Sequence, residues 1–214
     1  MKQLAILISG RGSNMDRLAA ACADGGLAAR VAAVIADRPD APGLALAQGR
    51  GLRAEVLDHR GFASREAFDR ALVERLEACG ADIVVLAGFM RVLGAAVVDR
   101  FAGRLVNVHP SLLPSFPGLR THARALAAGV RVHGATVHLV TGALDHGPIL
   151  AQAVVPVRDD DDVAALAERV LQAEHVLLPR AVRWMAEGRV RVVDGRALVE
   201  GVPAAERRLA IGFD

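Results

Sequence analysis

Aromatic residues are scarce in this sequence, and their scarcity limits the partners that the protein can have. The 214 residues include six phenylalanines, one tryptophan and no tyrosine, so only 3% are aromatic. A surface that stacks single-stranded nucleic acid needs more aromatic side chains than that. The formal net charge of +2 is also too small to indicate a polyanionic partner. The composition therefore predicts a protein without a nucleic-acid partner.

Cysteines and long apolar runs are also few. Cys22 and Cys79 lie far apart in helix-like segments and form no C-x-x-C pair, which favours buried free thiols and a reducing compartment. The N-terminal MKQLAILISG has a charge and an apolar run, but the run is too short for a signal peptide. No stretch approaches the roughly 18 apolar residues of a membrane span. The sequence therefore predicts a cytoplasmic protein with no membrane partner.

Short apolar segments that alternate with helical patterns are abundant, and 53% of the residues are hydrophobic. A nearly uninterrupted apolar segment such as DIVVLAG is typical of a parallel strand that is covered on both faces. The alternation predicts an α/β fold with a single-domain, open, mostly parallel, Rossmann-like sheet and helices on both faces. Strands are expected at 4–9, 31–37, 54–57, 82–88, 104–109, 133–140 and 148–157. Helices are expected at 14–24, 42–48, 64–79, 94–100, 121–128 and 162–187.

The pattern changes towards the end of the chain. The last two predicted strands flank the turn-like TGALDHG, so we expect them to pair antiparallel. Residues 189–199 predict a small hairpin that turns at Asp194-Gly195. The sequence shows no repeat and no low-complexity linker. We therefore expect one domain over residues 1–188, followed by a short C-terminal tail over residues 189–214.

The SGRGSN segment, residues 9–14, lies between the first predicted strand and the first helix. Its glycines permit a tight turn that aims N–H groups at an anion, and the helix dipole adds to the attraction. The dinucleotide pattern G-x-G-x-x-G is not met, because Met15 occupies the place of the third glycine, and G-K-[ST] is absent. A monophosphate cradle remains. The alternative is a glycine-rich turn in which Ser13 or Asn14 caps the helix.

The segment NVHPSLLPSFPG places Asn107 and His109 two residues apart at the end of a predicted strand, so both point to the same face. No cysteine lies near, and Ser111 lacks the G-x-S-x-G pattern, so we expect no serine or thiol nucleophile. An amide beside an imidazole suits the stabilisation and protonation of an oxyanion while a substrate nucleophile attacks. The alternative is a histidine that is hydrogen-bonded to the backbone. The three prolines would stiffen the following loop.

Asp145 falls in a tight turn of TGALDHGPIL, at an edge where such sheets carry ligands. Beside His109 it would orient the imidazole and stabilise its protonated form. The alternative is a turn aspartate that hydrogen-bonds its own backbone. His133 and His138 are five residues apart and should face opposite ways. Without a metal-binding pattern around them we interpret both as structural or peripheral, and we expect no metal.

In their order and spacing these segments resemble the phosphoribosylglycinamide formyltransferases, a family of folate-dependent enzymes of purine (IMP) synthesis. The resemblance runs from the first strand to about Gly188. It implies that the formyl group of 10-formyltetrahydrofolate, a co-substrate, passes to the amine of glycinamide ribonucleotide without a metal. It also implies a monomer or a homodimer. The segments that carry it are ILISGRGSN, SREAFDR, VLAGFMRVL, NVHPSLLPSFPGL, HGATVH, LDHGP and QAEH.

Carried over position by position, the resemblance implies a catalytic trio of Asn107, His109 and Asp145. It places the ribonucleotide phosphate site in the N-terminal half and the formyl-folate site in the C-terminal half. The ribonucleotide contacts would come from Gly12, Ser13, Asn14 and Glu174. The folate contacts would come from Arg65, Met90, Arg91, Val92, Leu93, Asn107, Thr141, Gly142, Ala143, Leu144 and Asp145. One departure is His146, where the family commonly has glycine, and we expect its side chain to point to solvent.

Three alternative functions differ from this one in the domains or the residues that they require. A formyltetrahydrofolate hydrolase would add an N-terminal regulatory domain, yet the first strand is expected at residue 4. A methionyl-tRNA formyltransferase shares Asn-x-His-Pro-Ser-Leu-Leu-Pro but would need a C-terminal tRNA-facing domain, and only the short tail follows Gly188. A non-catalytic nucleotide- or folate-binding protein would keep the phosphate loop. Such a protein would have no need of His109 together with Asp145.

Overall fold

The structure is a computed structural model that describes residues 1–213. Its strands are β1 (Lys2–Ile8), β2 (Ala29–Ala36), β3 (Ala54–Val56), β4 (Ile83–Leu86), β5 (Leu105–His109), β6 (Val132–Leu139), β7 (Ile149–Pro156), β8 (Val190–Val193), β9 (Arg196–Val199) and β10 (Arg208–Ala210). Its α-helices are α1 (Ser13–Ala23), α2 (Gly43–Gly49), α3 (Arg65–Ala78), α4 (Ala95–Arg100), α5 (Thr121–Ala127) and α6 (Val163–Ala186). The predicted strands and helices are all present, and their ends differ from the prediction by one or two residues.

Eight strands form one sheet in the order β10-β7-β6-β5-β4-β1-β2-β3. The neighbouring strands β3, β2, β1, β4 and β5 are parallel, whereas β6 is antiparallel to both β5 and β7. The small hairpin of β8 and β9 turns at Asp194 and Gly195, which both have positive φ. The predicted fold class is therefore confirmed, together with the antiparallel pair and the C-terminal hairpin.

The core lies on both faces of the sheet because successive strand residues point to opposite faces. In β1, Leu4 and Ile6 join a cluster under α1 and α6, while Ala5 and Leu7 join a cluster under α3 and α4. All these positions are fully buried. This double coverage explains why the central strands are apolar without alternation. Ser64 caps α3, since its Oγ accepts a hydrogen bond from Ala67 N at 3.2 Å.

The end of the chain contributes more to the sheet than the sequence indicates. No strand is predicted after Val199, yet β10 pairs in parallel with β7. The guanidinium of Arg207 donates to the carbonyl oxygens of Ile149, Leu150 and Ala197 at 2.9–3.1 Å. The strand β3 is equally short but is marked by its place in the alternation of strands and helices, whereas β10 lies outside that alternation. The predicted tail therefore adds an edge strand to the main sheet.

Two further expectations concern the cysteines and the membrane. Cys22 and Cys79 are free, but each is only partly buried, which corrects the prediction of buried thiols. Burial still raises the pKa of the Cys22 thiol to about 11. Over residues 1–213, no helix combines the length and the apolar character that are needed to cross a membrane.

Candidate active site

Three of the segments noted in the sequence lie side by side at one edge of the sheet. The neighbouring parallel strands β1, β4 and β5 bring their carboxyl ends together. SGRGSN follows β1, the irregular segment 88–94 follows β4, and the proline-rich loop follows β5. A hydrogen bond of 2.9 Å from Met90 N to Ser9 Oγ joins the first two segments. The predicted phosphate loop and part of the predicted folate site therefore touch each other.

The turn from β1 into α1 leaves the start of this helix open. Gly12 precedes α1 with a φ of 77°, a conformation that glycine adopts without strain. In the part of the chain that the structure describes, no side chain caps α1. Ser13 and Asn14 are the first residues of the helix itself, so the alternative in which either caps it is wrong. The first N–H groups of the helix have no intrahelical partner, which suits an anion.

Asn14 and Glu174 are 160 residues apart in sequence and meet at the start of α1. The Nδ2 atom of Asn14 donates to Oε2 of Glu174 at 2.6 Å. Glu174 lies on α6, which packs against α1. Burial raises the pKa of Glu174 to about 7, and the hydrogen bond from Asn14 opposes this shift. Two of the four predicted ribonucleotide residues are thus brought together, although they lie far apart in the sequence.

His109 stands at the end of β5 and is 6% exposed. Its Nδ1 atom lies 3.5 Å from Oδ2 of Asp145, and its Nε2 atom lies 3.0 Å from the carbonyl oxygen of Phe116. Since a carbonyl only accepts, Nε2 donates in this contact. The carboxylate of Asp145 also accepts from Gly118 N at 2.8 Å. The alternative in which Asp145 bonds only to the backbone of its own turn is therefore wrong. The alternative for His109, a hydrogen bond to the backbone, is present together with the contact to Asp145.

His138 belongs to this cluster, which corrects the interpretation of it as structural or peripheral. It lies directly opposite Asn107 in the antiparallel register of β5 and β6. Its Nδ1 atom donates to Leu139 O at 3.0 Å, so the neutral ring can accept at Nε2 from Asn107 Nδ2, 3.2 Å away. The same Nε2 atom lies 3.8 Å from Oδ1 of Asp145. Burial lowers the pKa of His138, which favours this neutral form.

His133 keeps its structural interpretation. Its ring makes edge-to-face contacts with Phe116 and His122. Its two nitrogens have no hydrogen-bond partner among residues 1–213. Burial lowers its pKa to about 4, so the ring is neutral near pH 7. Across the same residues, no group of three or more possible ligands is placed to hold a metal ion.

The proline-rich loop is hydrogen-bonded to β6 and β7 by two polar side chains, of which Thr136 is buried and Gln152 is partly buried. Oγ1 of Thr136 donates to Ser111 O at 2.7 Å and accepts from Leu113 N at 3.0 Å. Nε2 of Gln152 donates to Leu113 O at 2.8 Å. Thr136 lies opposite His109 in the register. These two residues were not found from the sequence, because their positions depend on strand register rather than on a local motif.

The loop that carries Asp145 approaches the site from an unexpected direction. Leu139 pairs with Val106, near the amino end of β5, so the loop after β6 starts away from the carboxyl edge of the parallel strands. Asp145 nevertheless reaches His109, which means that the loop folds back over the sheet. Asp145 adopts a φ of 54°, which aspartate tolerates better than most residues. The prediction that this turn lies at the ligand-carrying edge is therefore corrected: the loop starts at the other edge, and Asp145 reaches the site because the loop folds back.

The predicted folate residues line the outer part of the same region. Arg65 Nε lies 3.8 Å from a carboxylate oxygen of Asp69, and Arg91 stacks over the ring of Phe68 at 5.0 Å. Leu93 is buried. The other predicted folate residues that the structure leaves exposed are Arg65, Met90, Val92, Thr141, Gly142, Ala143 and Leu144. His146 is exposed as expected, and its Nδ1 atom donates to Leu144 O at 2.6 Å.

The fold and the site together indicate an enzyme. One α/β sheet carries both an open helix start and a cluster of Asn, His and Asp side chains. A profile described as formyl transferase matches residues 2–182. The chain belongs to the formyl transferase family.

Within this family the chain is similar to enzymes of purine biosynthesis. It is 43% identical to the phosphoribosylglycinamide formyltransferase of Escherichia coli (strain K12) over 92% of this chain and 93% of that protein. It is 46% identical to the trifunctional purine biosynthetic protein adenosine-3 of Drosophila melanogaster over 87% of this chain and 14% of that longer protein. The crystal structure of glycinamide ribonucleotide transformylase 1 from Symbiobacterium toebii has a TM-score of 0.92 and 46% identity, covering 93% of this chain and 94% of that one. The resemblance seen in the sequence is confirmed.

Proposed function

We propose that Asn107, His109 and Asp145 are the catalytic residues of this chain. The chain acts as a formyltransferase of purine biosynthesis, with 10-formyltetrahydrofolate as co-substrate and glycinamide ribonucleotide as acceptor. The observation that carries the proposal is the contact of 3.5 Å between His109 Nδ1 and Asp145 Oδ2, beside an amide that is held by His138. A carboxylate in this position orients the imidazole.

The chemistry requires no nucleophile from the protein, because the substrate amine attacks the formyl carbon. The attack creates a tetrahedral oxyanion, which Asn107 and His109 can stabilise by hydrogen bonds. Nδ1 of His109 faces Asp145, so Nε2 is the nitrogen available to the oxyanion. The carbonyl of Phe116, which Nε2 contacts at 3.0 Å, would then have to move aside. The proton that the attacking amine loses passes to the folate nitrogen, directly or through water, as the bond between that nitrogen and the formyl carbon breaks.

The ribonucleotide site in this proposal is the start of α1. The N–H groups of Gly12, Ser13 and Asn14 would hold the phosphate. Glu174 would contact the ribose or the glycinamide end. Two observations support this assignment: α1 has no side-chain cap among the described residues, and Glu174 is held beside the turn by Asn14 at 2.6 Å.

The folate site would be formed by Arg65, by Met90 to Leu93, and by Asn107 with Thr141 to Asp145. Met90 and Val92, which follow β4, and Leu144, which precedes Asp145, are exposed. Their exposure supports this assignment, since exposed apolar side chains suit a ligand with an apolar ring. We further propose a cytoplasmic monomer or homodimer without a nucleic-acid or membrane partner. We also propose that residues 1–188 form the catalytic domain, with residues 189–214 as its C-terminal extension.

The proposal is tested by mixing the purified protein with 10-formyltetrahydrofolate and glycinamide ribonucleotide and following folate release by absorbance. We expect release that depends on the ribonucleotide and that falls by about 10²–10³-fold in His109→Ala. His59→Ala, in a histidine outside the site, is the matched control and should keep its activity.

Other outcomes would contradict the proposal in different ways. Release without the ribonucleotide would indicate a hydrolase. No release under any condition would favour a binding protein or a tRNA-directed enzyme. An active His109→Ala variant would remove His109 from the catalytic residues.

A further inference from the structure

The irregular segment 88–94 joins β4 to α4 and carries Met90 to Leu93 of the proposed folate site. In its middle, Met90 is 67% exposed and Val92 is 52% exposed, and the side-chain contact that the structure shows there is that of Arg91 over the ring of Phe68 at 5.0 Å. Phe89 and Leu93 are buried on either side of this exposed part. Side chains that face a ligand cannot at the same time anchor their own backbone in the core. The path of this backbone must therefore depend on other contacts.

Two buried side chains hydrogen-bond the backbone of segment 88–94 near its two ends. Oγ of Ser9 accepts from Met90 N at 2.9 Å, and Oδ2 of Asp69 accepts from Gly94 N at 2.9 Å. Ser9 is 8% exposed and Asp69 is 2% exposed. Ser9 directly follows β1, and Asp69 lies on α3. The segment is thus fixed to two elements that are separate from the β4–α4 connection.

The position of Asp69 is costly for stability alone. A buried carboxylate loses its hydration and needs compensating partners. Within residues 1–213, Oδ1 of Asp69 has no hydrogen-bond partner, and the Nε atom of Arg65 is 3.8 Å from Oδ2. A Cβ atom on Gly94 would lie 2.3 Å from Oδ2, so the carboxylate packs directly against the main chain. An apolar side chain would avoid the cost of the buried charge but would leave Gly94 N without this acceptor, so the carboxylate contributes through its hydrogen bond to the segment rather than through packing.

We propose that Ser9 and Asp69 are positioning residues that hold segment 88–94 in the shape that binds the folate. The inference rests on the proposed function, since it takes this segment as part of the folate site. Ser9 also begins the SGRGSN turn, so its hydrogen bond fixes the proposed phosphate loop to the proposed folate segment. A backbone hydrogen bond of 3.2 Å from Ser9 N to Gly88 O joins the same two segments, so the side chain of Ser9 adds a second link between the two proposed substrate sites.

The test measures binding of tetrahydrofolate and of glycinamide ribonucleotide separately, by calorimetry. We expect Asp69→Ala and Ser9→Ala each to weaken tetrahydrofolate binding about tenfold, because the first removes the acceptor of Gly94 N and the second removes the acceptor of Met90 N. Asp69→Asn keeps an oxygen that can accept from Gly94 N and should bind within about threefold of the wild type. In turnover, the KM for 10-formyltetrahydrofolate should rise more than kcat falls.

Asp82→Ala is the matched control. Oδ2 of Asp82 accepts from Gln3 N at 2.8 Å, and Asp82 lies just before β4, at the opposite end of the same strand. This variant loses a comparable hydrogen bond far from the folate segment. Its tetrahydrofolate binding should match the wild type.

Each result decides the inference. Unchanged tetrahydrofolate binding in Ser9→Ala overturns the role of Ser9, and this variant remains informative if Asp69→Ala fails to fold. Equal weakening in Asp82→Ala would mean a general loss of structure and would also overturn it. A wild type that binds tetrahydrofolate but transfers no formyl group would contradict the proposed function while leaving the inference standing. A wild type that binds no tetrahydrofolate would contradict both.

Discussion

Asp145 combines two contacts in one carboxylate oxygen. Its Oδ2 atom accepts from Gly118 N at 2.8 Å and lies 3.5 Å from His109 Nδ1. Asparagine keeps the shape, an oxygen acceptor and the tolerance of a positive φ, but it carries no charge. We therefore expect Asp145→Asn to lower kcat by at least about 10²-fold. Initial rates at saturating substrates measure this effect.

The hairpin provides a matched control for this substitution. Asp194 also has a positive φ, 48°, but lies in the turn between β8 and β9. Asp194→Asn should leave kcat unchanged, and both variants should unfold in urea within about 1 kcal/mol of the wild type. A similar loss of kcat in both variants, or full activity in Asp145→Asn, would contradict the role given to Asp145.

Glu174 should make the stability of the protein depend on pH. Burial raises its pKa from the ordinary value of 4.5 to about 7, so the folded state binds this proton more tightly than the unfolded state. The resulting stabilisation is fully present below pH 4.5 and is lost as the pH rises through 7. We expect the free energy of unfolding of the wild type to fall relative to Glu174→Gln over this range, by on the order of 2–3 kcal/mol.

Urea unfolding at a series of pH values measures this difference. Glu168→Gln, at an exposed position of the same helix, is the control and should follow the wild type at every pH. A constant difference between the wild type and Glu174→Gln would mean that Glu174 titrates near its ordinary value in the fold.

At the residue scale, the sequence predicts the members of the site that belong to local motifs. Asn107 and His109 are found because period two in a strand places them on one face. His138 is missed because its place opposite Asn107 follows from the register of β5 and β6. Thr136 and Gln152 are missed for the same reason. Register depends on the whole sheet and has no signal within a single segment.

At the scale of elements, the first residue of α2 packs closely against the turn before α1 and so restricts the shape of that turn. Gly43 N donates to Gly10 O at 3.0 Å. A Cβ atom on Gly43 would lie 2.7 Å from Ile8 Cδ1 and 3.1 Å from Gly12 Cα. Gly43→Ala should therefore push the SGRGSN turn out of place and raise the KM for glycinamide ribonucleotide by about tenfold, with a smaller effect on the folate KM. Steady-state kinetics with each substrate varied in turn provide the measurement.

Gly49, at the other end of α2, is the natural comparison. A Cβ atom there would have no neighbour within 4 Å, so alanine fits without displacement. Gly49→Ala should keep both KM values, and the better helix propensity of alanine should stabilise the fold by up to about 1 kcal/mol. If Gly43→Ala also kept the ribonucleotide KM, the SGRGSN turn would not need the close approach of α2.

The elements themselves are well predicted because they are periodic and long enough to carry a signal. Apolar strands alternate with helices whose starts are marked by residues such as Ser64, and the structure contains each of them. The three residues of β10 carry no such signal, and their pairing with β7 depends on Arg207 and on the preceding hairpin. The other edge strand, β3, is equally short but is predicted from its place between two helices. Pattern analysis therefore omits a short strand only where it lies outside the alternation of strands and helices.

At the scale of the whole molecule, Arg207 joins the end of the chain to the main sheet. It donates to carbonyl oxygens on β7 and β9 at 2.9–3.1 Å, and partial burial lowers its pKa from the usual value. Arg207→Ala would leave these carbonyls without their donor and loosen β10 from the edge of β7. We expect the free energy of unfolding to fall by about 1–3 kcal/mol. Arg207 makes none of the hydrogen bonds described above for the catalytic trio. The kcat should therefore stay within about twofold of the wild type at temperatures where the variant is folded.

Arg208→Ala tests whether this effect belongs to the hydrogen bonds of Arg207 or to any loss of charge near the end of the chain. Arg208 is the next residue, lies in β10 and is exposed. Because an exposed arginine without such bonds contributes little, Arg208→Ala should unfold within about 0.5 kcal/mol of the wild type in urea. Equal destabilisation by both substitutions would mean that the last strand is held by charge, and no destabilisation by either would mean that the sheet is complete without β10.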